Sequence, residues 1–178
     1  MNDIRLQTLT SVPEAELAAL QQESFADYEP SRLLAEVIAS EAATRPGGTQ
    51  AQVDCAFGVA AYRGDVLIGW TQGYREGKSQ FYMLNSGVAH AERRKGVYSK
   101  LVMAVLEHSE AEGYSTVRSR HAAANVAVII AKLRLGFLVT GFEYSEVYGP
   151  LVQLTYWVGQ ARRKLYKARA SPIRPASE

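Results

Sequence analysis

Residues 81–106 constrain the fold most, because they read as a strand, a basic turn and a helix in direct succession. Residues 81–89 have an extended pattern. Val97, Leu101, Val102, Val105 and Leu106 then recur at helical spacing and form the apolar stripe of an amphipathic helix. Between the two lies Arg93-Arg94-Lys95-Gly96-Val97-Tyr98-Ser99. A strand that turns sharply into a helix aims several unpaired N–H groups, and the positive end of the helix dipole, at one spot. Two arginines and a lysine make that spot attractive to phosphate. Gly96 lets the backbone approach a ligand closely. Neither common phosphate loop, G-x-x-x-x-G-K-[ST] or G-x-G-x-x-G, occurs in the chain.

The rest of the chain sets this unit in a mixed α/β order. A weakly alternating strand at 4–10 precedes a helix over 14–25, which Pro13 introduces. A second helix is expected after Pro30, through Leu33, Leu34, Val37 and Ile38, and Arg45-Pro46-Gly47-Gly48 predicts a loop. Strands at 53–62 and 66–74 join through Arg63-Gly64-Asp65, and Glu76-Gly77-Lys78 turns the chain into 80–89. The helix after the basic turn ends near Gly113. A strand at 117–121 and a helix over 124–135, closed by Gly136, come next. Strands at 137–148 and 151–158 finish as a hairpin about Gly149-Pro150. A basic tail begins at residue 161 and is expected to be a short helix followed by disorder, given Pro172 and Pro175.

At 178 residues the chain suits one domain, residues 1–160 with the tail 161–178 appended, burying about two thirds of its unfolded surface. Cys55 is the single cysteine, so neither an internal disulfide nor a cysteine-built metal site is available. With Asp3 and Arg5 near the start, no secretory signal is visible, and no run approaches the roughly 18 apolar residues of a membrane span. The expectation is a soluble, cytoplasmic protein without metal. A net charge of +2 hides an acidic first third and a basic remainder. That division fits either a cationic substrate opposite an anionic one or two ordinary solvated faces.

In this setting the basic turn resembles the pyrophosphate loop of the acetyl-CoA-dependent N-acetyltransferase superfamily (GNAT fold), whose pattern is [RQ]-x-x-G-x-[GA]. Tyr98 departs from that pattern at its last place. A second match follows at Asn125, Val128, Gly136 and Phe137, where the family commonly shows an asparagine, a small or apolar residue and a Gly-Phe pair; Lys132 stands where a tyrosine is usual. The resemblance covers about residues 53–158. It implies a central, mostly antiparallel sheet of six or seven strands with about four helices on its faces. It implies acetyl-CoA as co-substrate, with Val88, Ala89, Arg93, Arg94, Lys95, Gly96, Val97, Tyr98, Ser99 and Asn125 in the binding region. The Tyr98 ring would have to point away from the phosphates. Backbone N–H groups near Val88 and Ala89 would serve the oxyanion.

An amine attacking a thioester must lose a proton, and the thiolate must leave. The family often carries an acidic base on its fourth or fifth strand. Here Leu84, Asn85 and Ser86 occupy the fourth, and Arg120 and His121 the fifth. His121 is the preferred base, because imidazole titrates in the useful range. Lys132 replaces the tyrosine that would protonate the thiolate. His121, Lys132 and Asn85 are the candidate catalytic residues. His90 adjoins the loop and His108 is expected on a helix surface, while Glu23, Asp27 and Glu29 are open to a substrate ammonium or simply solvated. Tyr144, Tyr148, Tyr156 and Trp157 fit sheet packing, an acceptor pocket or a dimer contact.

The resulting expectation is acetyl transfer from acetyl-CoA to a small primary amine in a ternary complex, with a homodimer compatible and no membrane partner. The rival from another class is a non-catalytic acyl-CoA-binding sensor or partner subunit, which the missing strand carboxylate and Lys132 favour. Nucleic-acid association through the basic segment 162–169 is the weaker third reading.

Overall fold

The computed structural model describes residues 4–25, 40, 56–146 and 148–170. The expected helix after Pro30, the loop at Arg45-Pro46-Gly47-Gly48, Cys55, Asp27 and Glu29 lie outside the described residues. Among the described residues are seven strands and four α-helices. The strands are β1 (Ile4–Thr8), β2 (Phe57–Arg63), β3 (Val66–Glu76), β4 (Gln80–Val88), β5 (Thr116–Ala122), β6 (Leu138–Ser145) and β7 (Gly149–Trp157). The helices are α1 (Glu14–Phe25), α2 (Val97–Ala111), α3 (Val126–Arg134) and α4 (Gln160–Ala170).

All seven strands form one sheet in the order β1-β2-β3-β4-β5-β7-β6. Every neighbouring pair is antiparallel except β4 and β5, which α2 connects in parallel. Parallel neighbours need a crossover of a dozen or more residues, and the predicted helix supplies it. The sheet is sandwiched. On one face α1 helps bury Leu9, Leu20, Ala60, Tyr62, Leu67 and Trp70. On the other, Val97, Leu101, Val102 and Val105 of α2 pack against Val59, Ile68, Phe81, Met83 and Val117 of the strands. Those four helix residues are at most 1% exposed, and burying each stabilises by about 1.5–3 kcal/mol. The stripe read from the sequence therefore orients the helix whose first turn meets the basic loop.

Two local expectations change, and the short helix expected at the start of the tail is present. The final hairpin turns between Ser145 and Gly149, which pair directly, so Gly149-Pro150 opens β7 rather than forming the turn. Residues 160–170 form a docked helix, because Tyr166 stacks on Trp157 at 4.0 Å and the Arg163 guanidinium covers the Tyr156 ring at 4.6 Å. His108 is not a surface residue: its ring stacks on Phe57 at 3.8 Å, beside Phe81 and Tyr114, and partial burial lowers its pKa.

Candidate active site

β4 and β5 pair at only three positions: Gln80 with Thr116, Phe81 with Val117, and Tyr82 with Arg118. Beyond these, residues 83–88 pair with β3 and residues 119–122 with β7. Two central strands thus part into a V. The cause is visible in the register of β3 and β4. Gly73 faces Met83 and Gln72 faces Asn85, which leaves Leu84 without an opposite number. Such a bulge bends and twists its strand. Leu84 is 42% exposed and Asn85 is exposed beside it, unusual for the middle of a central strand. The Asn85 carbonyl accepts from Thr71 Oγ1 at 3.3 Å.

Lys132 occupies the apex of the V. It is fully buried, and its Nζ donates to Ser119 Oγ at 2.6 Å and to the Met83 sulfur at 3.2 Å. These two residues are the first on each strand beyond the paired positions. Nζ also sits 4.7 Å over the Phe137 ring. Among the described residues no carboxylate faces it. Burial pulls the Lys132 pKa down to about 7.

His121 comes to the same cluster, its Nε2 lying 3.0 Å from Ser119 Oγ. Burial first, and then the Lys132 charge, push its pKa down to about 3. The expectation that His121 titrates near neutrality is therefore corrected, since a desolvated imidazole beside a cation resists protonation. Ser119 escaped the sequence reading. The signal was present, because Val117, Ser119 and His121 alternate onto one face of the strand, but nothing in the sequence placed Lys132 against that face. On the opposite face, Arg118 and Arg120 are committed to Glu76 at 3.0 Å and Glu143 at 2.9 Å. Arg120 also donates to the Tyr82 hydroxyl at 2.8 Å.

The basic loop lies between the far end of β4 and α2. Residues 93–96 are exposed. Gly96 has φ 82°, and Arg94 adopts φ 64°, a conformation L-residues rarely hold. The first intrahelical bond runs from the Lys100 N–H to the Gly96 carbonyl at 3.1 Å, so the Val97, Tyr98 and Ser99 amides precede the bonded helix. Left-handed turns of this kind present successive N–H groups to an anion. Tyr98 turns inward, packing on both clusters beneath α2, with its hydroxyl buried near Ser86 and its pKa raised by that burial. The loop mouth is thus free of its ring.

The basic side chains do not all face outward. Arg93 Nε reaches back to the Val88 carbonyl at 3.3 Å. Glu92, next to the loop, is neutralised by Arg63 at 2.9 Å and Lys95 at 3.4 Å, and the Arg63 hydrogen bond holds its carboxyl below the usual range. Glu23 accepts from the His90 backbone N–H at 2.7 Å, which ties α1 to the loop. Asn125 caps α3, its Oδ1 accepting from the Val128 N–H at 3.4 Å. Tyr144 and Tyr148 are 81% and 58% exposed at the hairpin, while Tyr156 packs on Phe137.

The sheet is thus split between its two parallel strands, with an anion-receptive helix start beside the split. The chain belongs to the acetyltransferase (GNAT) family, whose model matches residues 15–137, a span that includes the loop, the V and Lys132. The comparison with curated proteins gives no match. Solved structures share the fold. One is the ribosomal-protein-S18-alanine N-acetyltransferase of Escherichia coli, with TM-score 0.66 and 13% identity over 89% of this chain and 96% of that one. Another is a Bacillus subtilis acetyltransferase in complex with CoA, with TM-score 0.63 and 17% identity over 87% and 99%. A third, a GNAT family acetyltransferase from Elizabethkingia anophelis with acetyl-CoA bound, has TM-score 0.61 and 13% identity over 88% and 99%. The protein is accordingly an acetyltransferase. No helix among the described residues is long and apolar enough to cross a membrane.

Proposed function

We propose that this chain transfers an acetyl group from acetyl-CoA directly to a small primary amine within a ternary complex. The observation that carries the reading is the V between β4 and β5, flanked by the exposed 93–96 loop on one side and closed by Lys132 at its apex. The residues present fit the co-substrate. Val97, Tyr98 and Ser99 offer backbone donors, and Arg94 and Lys95 supply positive charge for the diphosphate. The β4 backbone on the open side of the V is available to pair with amides of an extended arm, as an added strand would. Asn125 follows the end of β5, and Val88 remains a proposed oxyanion donor, whereas the expected Ala89 N–H is spent on the Ile68 carbonyl at 3.0 Å.

Lys132 is the proposed proton donor to the departing sulfur. A thiol has a pKa near 8.5 and an ordinary lysine near 10.4, so an unperturbed lysine would give up its proton uphill. Burial reverses the order: with a pKa of about 7, Lys132 is more acidic than the thiol it would protonate. This is how a lysine can fill the place where the family usually has a tyrosine. The acceptor amine enters on the open side beside Leu84 and Asn85, where solvent takes its proton.

The test is a thermal-shift titration with acetyl-CoA, coenzyme A and dephospho-coenzyme A, followed by an amine panel read by release of free thiol. Stabilisation by the first two, and thiol release with at least one small amine, are expected. A coenzyme-induced shift without turnover across the panel would instead indicate a binding protein, and no shift at all would remove the reading.

A further inference from the structure

Among the described residues, Ser119 is the one side chain with a hydrogen bond to both ionisable groups of the cluster. Its Oγ is 2.6 Å from Lys132 Nζ and 3.0 Å from His121 Nε2. Ser119 is 1% exposed and Lys132 0%, whereas His121 is partly exposed. A hydroxyl offers one proton and two lone pairs. With Lys132 as an ammonium, which can only donate, Ser119 must accept from it and pass its own hydrogen to His121 Nε2. His121 is then the tautomer protonated at Nδ1. With Lys132 as a neutral amine the chain can run the other way, with His121 Nε2–H donating to Ser119 and Ser119 donating to Lys132. The three residues therefore form a reversible path joining a sealed amine to a residue that solvent reaches.

We propose that Ser119 is a positioning residue of the transfer step, which holds the Lys132 amine at the apex of the V and reloads it with a proton drawn through His121. This rests on the reading of Lys132 as the donor to the departing thiolate. The balance is complete. As the carbon–sulfur bond breaks, Lys132 gives its proton to sulfur and becomes a neutral amine. His121 then exchanges its ring proton with solvent, losing it from Nδ1 and gaining one at Nε2. Ser119 gives its hydrogen to Lys132, His121 Nε2–H replaces it on Ser119, and water reprotonates Nδ1, which restores the starting tautomer. The acceptor nitrogen loses one proton to solvent before it attacks and a second as the tetrahedral intermediate collapses to the amide. One of the two is matched by the proton that reloads Lys132, so one is released overall. The titratable groups around Lys132 are few. His121 comes from β5 and Tyr98 from α2, while β4 presents Met83 and the segment after α3 presents Phe137. Neither neighbouring group is an anion at neutral pH, so the Ser119 oxygen is the chief polar support of the ammonium.

The experiment compares wild type with Ser119→Ala and Ser119→Thr, the latter keeping a hydroxyl. In the ligand-free proteins, NMR of 15N-labelled lysine and histidine reads the Lys132 titration and the His121 tautomer. Ser119→Ala is expected to lower the Lys132 titration midpoint by at least half a pH unit and to abolish the preference for Nδ1–H at His121. Ser119→Thr should restore both. With acetyl-CoA and an active amine, Ser119→Ala should lower kcat at least tenfold, move the alkaline limb of the rate profile to lower pH, and leave coenzyme A affinity within twofold. Unchanged Lys132 and His121 spectra in Ser119→Ala would overturn the chain of hydrogen bonds even if no acceptor were found. Equal losses in the Ala and Thr variants, or a lower kcat with an unmoved alkaline limb, would reduce Ser119 to packing. Absence of turnover in wild type with the spectra as expected would sink the transfer role and keep the chain.

Discussion

The Lys132 nitrogen and the Met83 sulfur lie 3.2 Å apart, joining α3 to β4 just where that strand leaves its partner. A thioether is a weak acceptor and cannot replace the water an ammonium loses on burial. With Phe137 and Ser119 as its other neighbours, Lys132 gains too little to cover that loss. The stability of the fold alone would be better served by an apolar side chain.

Lys132→Met tests this. Replacing an uncompensated buried polar group by an apolar one of similar length is neutral or stabilising by ~1–4 kcal/mol. Each kcal/mol raises Tm by about 2–4 °C in a chain of this size. The variant should melt no lower than wild type, keep its coenzyme affinity within a few-fold, and lose at least tenfold in kcat. A clear drop in Tm would show Lys132 to be structural.

Stability should depend on pH with a fixed sign. Folding lowers the Lys132 pKa to about 7, so above that value the unfolded chain holds a proton that the folded chain has released. Stability therefore rises between pH 7 and the unfolded value near 10.4, by about 2 kcal/mol from pH 7 to 9, and the full penalty applies below 7. His121 acts at the acid end. Its pKa falls to about 3, so stability drops by about 1.4 kcal/mol per pH unit as pH falls below 6.5. Urea unfolding at pH 5, 7 and 9 measures both; Lys132→Met should erase the alkaline rise and soften the acid drop, because the Lys132 charge is the lesser cause of the His121 shift.

Arg94 combines positive charge with a left-handed backbone, φ 64°. Arg94→Gly removes the charge and relieves the strain, which costs on the order of 1 kcal/mol. It should raise Tm slightly and weaken coenzyme A binding less than Arg94→Glu, which should abolish the coenzyme shift without unfolding the protein. Isothermal titration with coenzyme A separates the two. A fully retained shift in Arg94→Glu would count against the loop assignment.

Arg63 bears on the same site from β2. It neutralises Glu92 at 2.9 Å, so Arg63→Ala leaves that carboxylate with Lys95 alone beside the proposed diphosphate. Coenzyme A affinity should fall about three- to tenfold, up to ~1.4 kcal/mol, and adding Glu92→Gln should recover most of it. No recovery would mean that Arg63 acts otherwise.

Asn125→Asp distinguishes a cap from a ligand contact. Aspartate keeps the oxygen that accepts from the Val128 N–H and caps about as well as asparagine, but it loses the amide donors. Unchanged Tm with weaker acetyl-CoA binding would assign the Asn125 side chain to the co-substrate. Unchanged affinity would leave it as a cap.

Much of the fold was legible because its signals are local. The spacing from Val97 to Val105 specified α2, Gly113 and Gly136 ended their helices at φ 73° and 95°, and the Gly64 and Gly77 turns fixed the meander. The loop was legible as well, since a glycine among basic residues between a strand and a helix needs no distant partner to be recognised. The apex of the V was not. Lys132, Ser119, Met83 and Phe137 are brought together from a helix, two strands and the segment after the helix. Nothing in any one segment says that a lysine will be sealed there. Sequence thus determined the elements and the anion-receptive turn, because backbone preference and apolar period act over a few residues. Only the tertiary structure decided the acidity of Lys132 and the silence of His121 near neutrality, because both come from the water that packing removes.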